Sequence, residues 1–145
     1  MLKGIPAVLS PELLKILMEM GHTDELVIAD GNFPAGAHSD RVVRLDGHGV
    51  PEILEAILTF FPLDRYAESP VTLMDVLPGD SVVPVIWDEY KAIIAKHEKG
   101  IKCHGIDKYE FYEQSRKAYV VVTISEQALY ANIILKKDVV TGEQA

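Results

Sequence analysis

The sequence "MEMGHTDELVIADGNFPA", residues 18–35, joins the end of an apolar helix to a short apolar strand. Its centre, "LVIA" at residues 26–29, is a continuous apolar run that is closed by Asp30 and Gly31. A short run of this kind, ended by turn residues, is typical of a strand buried on both faces of a sheet. The stretch therefore predicts an interior strand around which the remaining elements pack.

The helix before this strand has clear start and stop signals. Ser10 followed by Pro11 is a typical N-cap and first-turn pair. Apolar residues then recur at helical spacing until Gly21 ends the helix, at Leu13, Ile16, Leu17 and Met20. Leu14 and Met18 widen the apolar stripe, which favours cover on two sides of the helix, with another subunit as one candidate for the second cover.

The rest of the chain alternates between strand-like and helix-like segments. The strand-like segments are "RVVRLD", "VTLMDVLP", "YVVVTI" and "LYANIIL", and the helix-like segments are "VPEILEAILTFF", "PVIWDEYKAIIAKHEKG" and "KYEFYEQSRKA". This alternation predicts an α/β fold, namely a single three-layer domain over residues 1–145 with a largely parallel central sheet flanked by helices. Only about four residues, "SEQA", separate the last two segments, so we expect these two strands to form an antiparallel pair.

Composition and charge limit the partners that the chain can have. Fourteen Lys and Arg against 22 Asp and Glu give a formal net charge of −8, and no basic run is present, so nucleic acid is not expected as a partner. No stretch of 18 apolar residues is present, and Pro, Gly and Ser interrupt "MLKGIPAVLSPELLK", which predicts a cytoplasmic protein without a membrane partner.

Metal ligands and cofactor motifs are also missing from the sequence. Cys103 is the only cysteine, so neither a disulfide within the chain nor a thiolate metal cluster is expected. His104 beside Cys103 does not supply the ligand count of a zinc site, and no HExxH or paired CxxC motif is present. We therefore predict a protein that needs no metal and no cofactor.

His22 and Asp30 lie at the two ends of the predicted strand and allow two interpretations. In the first, His22 complements the negative end of the preceding helix and Asp30 begins a turn. In the second, the two residues form a site, because ligands of open α/β sheets favour the crevice outside the carboxyl ends of the strands. Histidine can give or take a proton at neutral pH, and aspartate can accept hydroxyl hydrogen bonds. The spacing alone leaves both interpretations open.

The segments "LSPELLKILMEMGHTDELVIADGNFPA" and "FYEQSRKAYVVVTISEQALYANIILKK" resemble the RbsD/FucU family of sugar mutarotases. The resemblance runs from Met1 to about Val140, and "NFPA", "VVRLDG" and "FPLDRY" are closer to the L-fucose branch than to the D-ribose pyranase branch. It implies the RbsD-like α/β fold, a homo-oligomeric ring-like decamer and a metal-free site for a monosaccharide near a subunit boundary. It also implies an activity, the interconversion of the anomers of a reducing sugar.

The resemblance assigns roles to particular residues. His22 in "MGHTDE" matches a proton-donating histidine, Asp30 in "VIAD" matches a substrate-binding aspartate, and Tyr130, Ala131 and Asn132 in "LYANI" match a sugar-binding segment. Lys108 occupies a substrate-binding position that is arginine in one branch and histidine in the other, and lysine lacks the planar fork of arginine. In "TISE", residues 123–126, the family commonly has Thr-Gly-Glu, so the turn before the last strand is not assumed to be the same.

These residues are chemically suited to mutarotation. Opening a cyclic hemiacetal requires an acid for the ring oxygen and a base for the anomeric hydroxyl, and His22 is the predicted principal acid/base. Asp30 and Asn132 would hold sugar hydroxyls, and Tyr130 offers both a ring face and a hydroxyl. Three functions remain open at this point: an L-fucose mutarotase, a pyranase or mutarotase for ribose or another aldose, and a sugar-binding accessory protein without catalysis.

Overall fold

The computed structural model describes residues 1–145, which form six strands and five helices around one sheet. In chain order the elements are α1 (Pro11–Glu19), β1 (Glu25–Ala29), α2 (Ala35–His38), β2 (Val42–Leu45), α3 (Val50–Leu58), β3 (Val71–Met74), α4 (Ile86–His97), β4 (Cys103–Ile106), α5 (Lys108–Lys117), β5 (Val120–Ile124) and β6 (Ile133–Lys136). None of the helices is long and apolar enough to cross a membrane.

The six strands lie in the order β2-β5-β1-β6-β3-β4. Strands β2, β5 and β1 pair in parallel, as do β3 and β4, while β6 runs antiparallel to both of its neighbours, β1 and β3. The predicted α/β fold with a largely parallel sheet flanked by helices is confirmed, and the sheet is mixed only because of β6.

The predicted pairing of the last two strands is wrong, because β1 lies between β5 and β6. The reason is the length of the connection. Strand β6 begins at Ile133 and not within "LYAN", so residues 125–132 are all free to pass over the end of β1. The strand segment predicted from "LYANIIL" is therefore half loop, and that loop carries Tyr130, Ala131 and Asn132.

The interior strand β1 is covered on both faces, as its apolar run predicts. Leu26 and Ile28 belong to a large apolar cluster that includes side chains of α1, α3 and α4, whereas Val27 and Ala29 belong to a smaller cluster with α2 and α5. All four of these side chains are fully buried. The sheet with helices on both faces gives the three layers that the sequence predicts.

Helix α1 begins as predicted and leaves one side uncovered. The Ser10 hydroxyl accepts a hydrogen bond from the Leu13 N–H at 3.2 Å, and the helix ends at Glu19, just before Gly21. Leu13 lies in the core, but Met18 on another side of the helix is 87% exposed. The second cover that the widened apolar stripe predicts is therefore not supplied by the same chain.

Two short elements were not predicted. Strand β4 is an edge strand that pairs only with β3, and its half-exposed sequence "CHGI" lacks an apolar run. Helix α2 has only four residues and ends at His38. Both elements depend on contacts with β3 and α5 and not on a local sequence signal.

Candidate active site

A cavity of about 210 Å³ lies at the edge of the sheet where β1 and β3 end. Because β6 runs antiparallel to these strands, its first residue lies at the same edge. The lining residues come from the strand ends, the loops that follow them and α5, and they are Asp30, Asn32, Phe33, Met74, Asp80, Tyr112, Leu129, Tyr130 and Asn132. The cavity thus occupies the crevice at strand carboxyl ends that α/β sheets favour for ligands.

Asp30 and Asn132 are joined across the edge of the sheet. The Asn132 side-chain oxygen accepts a hydrogen bond from the Asp30 N–H at 2.8 Å, and one Asp30 carboxylate oxygen accepts from the Asn32 N–H at 2.9 Å. Burial raises the pKa of the Asp30 carboxyl, and the hydrogen bond from Asn32 opposes that rise. Two residues that are far apart in sequence are therefore fixed side by side as polar groups of the cavity.

Tyr130 is held at both of its ends. Its phenolic hydroxyl donates to an Asp80 carboxylate oxygen at 2.6 Å, and its carbonyl accepts from the Trp87 indole N–H at 2.8 Å. Its backbone has a φ of +59°, in the left-handed region that non-glycine residues rarely adopt. Strained backbone of this kind persists where surrounding contacts fix it, and it is common at functional sites.

Ala131 lies behind the cavity and does not line it. The residue is fully buried, and its carbonyl accepts a hydrogen bond from the Tyr90 hydroxyl at 2.7 Å. Burial raises the pKa of the Tyr90 phenol, so this hydroxyl keeps its proton as a donor. Ala131 therefore connects the segment of Tyr130 and Asn132 to helix α4.

The cavity lining also has an apolar part, here called the apolar wall, which was not predicted. Phe33, Met74 and Leu129 line it together with Tyr112, whose ring lies 5.6 Å from that of Phe33 in an edge-on arrangement. Tyr112 is not among the site residues predicted from the sequence. The one local signal was the position of Phe33 in "ADGNFPA", three residues after Asp30.

His22 lies at the other end of β1, away from the cavity. The five residues of β1 separate it from Asp30, and an extended strand of that length spans about 16 Å. The structure therefore does not bring His22 and Asp30 together within one chain. The strand predicted at residues 26–29 lies between the two residues, and the structure confirms it as β1.

At its own end of the sheet, His22 belongs to a charged cluster. Its Nε2 lies 3.3 Å from an Asp64 carboxylate oxygen and 3.9 Å from one of Asp138, and its ring meets that of Tyr66 edge-on. Arg65 forms an ion pair with Asp138 at 3.0 Å and contributes to holding the pKa of that carboxyl below its ordinary value. Both carboxylates are buried, while the His22 side chain is 38% exposed.

The side-chain atoms of His22, Asp64 and Asp138 lie within 4.8 Å of one another, a spacing that could hold a metal ion. The carboxylates, however, already have protein partners. Asp64 accepts from the Tyr66 N–H at 3.0 Å, and Asp138 accepts from the N–H of Arg65 and of Val139. The contacts fit a histidine oriented by carboxylates better than a ligand set with free oxygens.

Lys108 does not line the cavity in a single chain. It is the first residue of α5, and its ammonium lies 5.1 Å from the centre of the Tyr109 ring. The "TISE" departure is accommodated within the turn, because the Glu126 carbonyl accepts from the Gly31 N–H at 3.0 Å and its carboxylate accepts from the Val50 N–H at 3.1 Å. The turn after β5 therefore joins the loop after β1 to the start of α3.

Comparison with known proteins supports the interpretation of the fold and shows the family. The model of the RbsD / FucU transport protein family matches residues 3–140, and the chain belongs to this family. The fucose mutarotase of Homo sapiens is 45% identical over 144 residues, which are 95% of this chain and 94% of that protein.

Two crystal structures have the same fold. FucU from Bifidobacterium longum is 52% identical with a TM-score of 0.93, and the match covers 96% of this chain and all of that one. The fucose mutarotase from Streptococcus pneumoniae in complex with L-fucose is 46% identical with a TM-score of 0.91, and the match covers 97% of this chain and all of that one. The similarity thus extends over nearly the whole chain.

Proposed function

We propose that the protein is an L-fucose mutarotase that interconverts the α and β anomers by acid/base opening and closure of the sugar ring. The observation that carries the proposal is that one cavity lining combines the polar residues Asp30, Tyr130 and Asn132 with the apolar wall. L-fucose is a deoxy sugar whose hydroxyls need hydrogen-bonding groups and whose methyl group needs apolar contact. The full-length similarity to fucose mutarotases supports this choice over ribose, which has no methyl group.

The proposed reaction requires that the site bind the sugar and still leave its anomeric carbon free to rotate. Asp30 and Asn132 would hold hydroxyls distant from that carbon, since one accepts hydrogen bonds and the other both donates and accepts. The open-chain aldehyde must rotate before the ring closes on its other face. A site that grips the far end of the sugar allows this rotation and keeps the substrate bound.

We assign His22 as the acid/base residue and place it in the cavity of a neighbouring subunit. The support is geometric, because His22 is separated from its own cavity by the length of β1 while Tyr66 beside it is 73% exposed. A hydrogen bond from Nε2 to Asp64 would leave Nδ1 as the nitrogen that exchanges a proton with the sugar. The uncovered Met18 side of α1 is a surface on which such an assembly could form.

The ring-like decamer, the cytoplasmic location and a contact between Lys108 and the sugar remain predictions. Lys108 begins a helix whose Tyr112 lines the cavity, so its ammonium is a candidate for a contact completed by a second subunit. Size-exclusion chromatography with light scattering tests the assembly. A stable monomer at micromolar concentration would contradict a site shared between subunits.

Magnetisation-exchange NMR between the two anomeric proton signals tests the activity directly. L-fucose and D-ribose are compared with the wild-type protein, His22→Ala and the control His48→Ala, which alters a partly exposed histidine paired with Glu52. We expect acceleration on fucose that His22→Ala abolishes and His48→Ala retains. Acceleration on ribose alone would indicate a pyranase, and binding without acceleration would indicate an accessory protein.

Mixing two inactive variants tests the shared site. His22→Ala and Asp30→Ala subunits are unfolded together and refolded at equal concentration. If each site takes Asp30 from one subunit and His22 from its neighbour, random assembly restores about one quarter of the wild-type activity. If both residues act within one subunit, the mixture stays as inactive as its components.

A further inference from the structure

Asp80 is an exposed residue that lines the cavity, and the reaction proposed above gives it no part. Asp80 lies in the loop between β3 and α4, residues 75–85, and its two carboxylate oxygens have different partners. Oδ1 accepts from the Val82 N–H at 3.0 Å, whereas Oδ2 accepts from the Tyr130 hydroxyl at 2.6 Å. One oxygen shapes the loop and the other holds the phenol.

The hydrogen bond to Asp80 determines whether the Tyr130 hydroxyl donates or accepts a hydrogen bond toward a sugar. A phenol has a single proton, and that proton points to Asp80. The Leu77 N–H also approaches the phenolic oxygen, at 3.3 Å, and the Trp87 bond to the Tyr130 carbonyl fixes the other end of the residue. Toward a ligand the phenolic oxygen is therefore an acceptor of a proton and not a donor.

We propose that Asp80, acting through Tyr130, receives the proton that leaves the anomeric hydroxyl of the sugar. The proposal rests on the mutarotase function above and names the base which that reaction requires. The anomeric O–H bond breaks and its proton bonds to the Tyr130 oxygen, while the original phenolic proton moves to Asp80 Oδ2. The electron pair left on the anomeric oxygen forms the carbonyl, and the ring C–O bond breaks toward an oxygen that is protonated by the acid. Ring closure on the other carbonyl face reverses each transfer.

The charges around the pair set the protonation states from which the transfer starts. The hydrogen bond from Tyr130 lowers the pKa of Asp80, and the same contact raises the pKa of Tyr130. At neutral pH the carboxylate is thus charged and the phenol protonated, which is the starting state that the transfer needs. Within one chain the carboxylate of Asp30 is the other acidic group of the lining, and its negative charge adds to the affinity of this part of the cavity for a proton.

The competing explanation is that Asp80 only fixes its loop to Tyr130 through a hydrogen bond. The variant Asp80→Asn distinguishes this structural role from proton transfer. The asparagine oxygen can still accept from the Val82 N–H, so the turn is kept. Its amide group can still bond the phenol, but now as a donor, and it cannot take a proton. The variant therefore keeps a hydrogen bond between residue 80 and Tyr130, with donor and acceptor exchanged, but it has no group that can accept a proton.

The experiment measures kcat and KM for L-fucose by magnetisation exchange in the wild type, Asp80→Asn, Tyr130→Phe and the double variant. The control is Asp88→Asn, which alters an exposed acid of α4 that lies outside the cavity lining. We expect kcat to fall roughly 10²-fold in each single variant with KM changed less than about threefold, as for the loss of a general base. Because the two residues act as a unit, the double variant should be no slower than either single variant.

The possible failures are distinguishable. No acceleration by the wild type would overturn the mutarotase function itself. An active wild type with an Asp80→Asn variant that keeps its kcat, or that changes only KM, would overturn the transfer through Asp80 and leave the function standing. If Asp80→Asn did not fold, Tyr130→Phe would decide, since an unchanged kcat in that variant also overturns the transfer.

Discussion

Asp30 illustrates how the surroundings of one residue determine a measurable pH dependence. Burial raises the pKa of this carboxyl above its ordinary value of 3.8, and the negative charge of Glu126 acts in the same direction. As the pH falls, Asp30 therefore takes up its proton earlier than an exposed aspartate does. A protonated carboxyl has fewer acceptor positions for sugar hydroxyls.

We therefore expect the KM for L-fucose to rise as the pH falls, beginning above the titration range of an ordinary aspartate. Exchange NMR between about pH 7 and about pH 4 measures this rise. Asp30→Asn should bind more weakly throughout and lose the pH dependence, whereas Asp88→Asn should retain it. An acid limb that persists unchanged in Asp30→Asn would show that another group is responsible.

Tyr90 is the residue that anchors the sugar-binding segment to helix α4. Tyr90→Phe removes the donor to the Ala131 carbonyl and leaves that buried oxygen without its partner. We expect a loss of about 1–3 kcal/mol in the free energy of unfolding, measured by urea denaturation. Tyr109→Phe is the matched control, because that side chain is 72% exposed, and the same change should cost little there. Equal costs in the two variants would contradict the anchoring role.

At the scale of elements, α2 and α5 hold the apolar wall of the cavity together. The His38 ring at the end of α2 stacks on Tyr112 of α5 with ring centres 4.9 Å apart, and the Arg116 guanidinium donates to His38 at 2.9 Å. Phe33 packs against the same Tyr112 ring. The short helix that the sequence did not predict thus positions a residue that lines the cavity.

His38→Ala should make the position of the Tyr112 ring less well defined and leave Asp30, Tyr130 and Asn132 unchanged. An aromatic contact contributes about 0.5–1.5 kcal/mol, so we expect KM to rise about twofold to tenfold with kcat nearly unchanged. The variant is compared with His48→Ala, which alters a histidine in the loop before α3, and KM should not change in that control. A fall in kcat at constant KM would mean that His38 acts in the chemistry itself.

Local signals account for most of what the sequence could predict about the elements. The apolar run at residues 26–29 predicts a strand covered on both faces, and Ser10 with Pro11 predicts the start of α1, because each depends on neighbouring residues only. The pairing of β5 with β1 depends on how far residues 125–132 can reach. That reach is set by where β6 begins, for which the sequence has no local signal.

The same distinction applies to the site. Asp30 and Asn132 could be predicted from resemblance, and the structure places both in the cavity lining. Asp80 and Tyr112 could not be predicted, since packing of a loop and of α5 brings them to the cavity from distant parts of the chain. The separation of His22 from Asp30 follows from the predicted strand between them, whereas the carboxylates beside His22, Asp64 and Asp138, come from distant parts of the chain and had no local signal.

At the scale of the whole molecule, β6 joins two groups of parallel strands that do not otherwise touch. Strands β2, β5 and β1 form one group and β3 and β4 the other, with β6 between β1 and β3. Of the six strands, β6 is nevertheless the last in chain order. The sheet is therefore completed at its centre by the strand that is synthesised after the other five.

During translation the six-stranded sheet cannot be completed until β6 has emerged from the ribosome. Until residues 133–136 clear the ribosomal tunnel, β1 and β3 each expose an open edge, and such edges bind other chains readily. We expect ribosome-stalled chains in which β6 is still inside the tunnel to be cut rapidly by protease, and chains with β6 released to resist cutting. Resistance that developed gradually with β1, β2 and β3 would contradict this order. Until β6 emerges, the exposed edges of β1 and β3 need protection by chaperones, so the yield of the protein in cells should fall when chaperones are scarce.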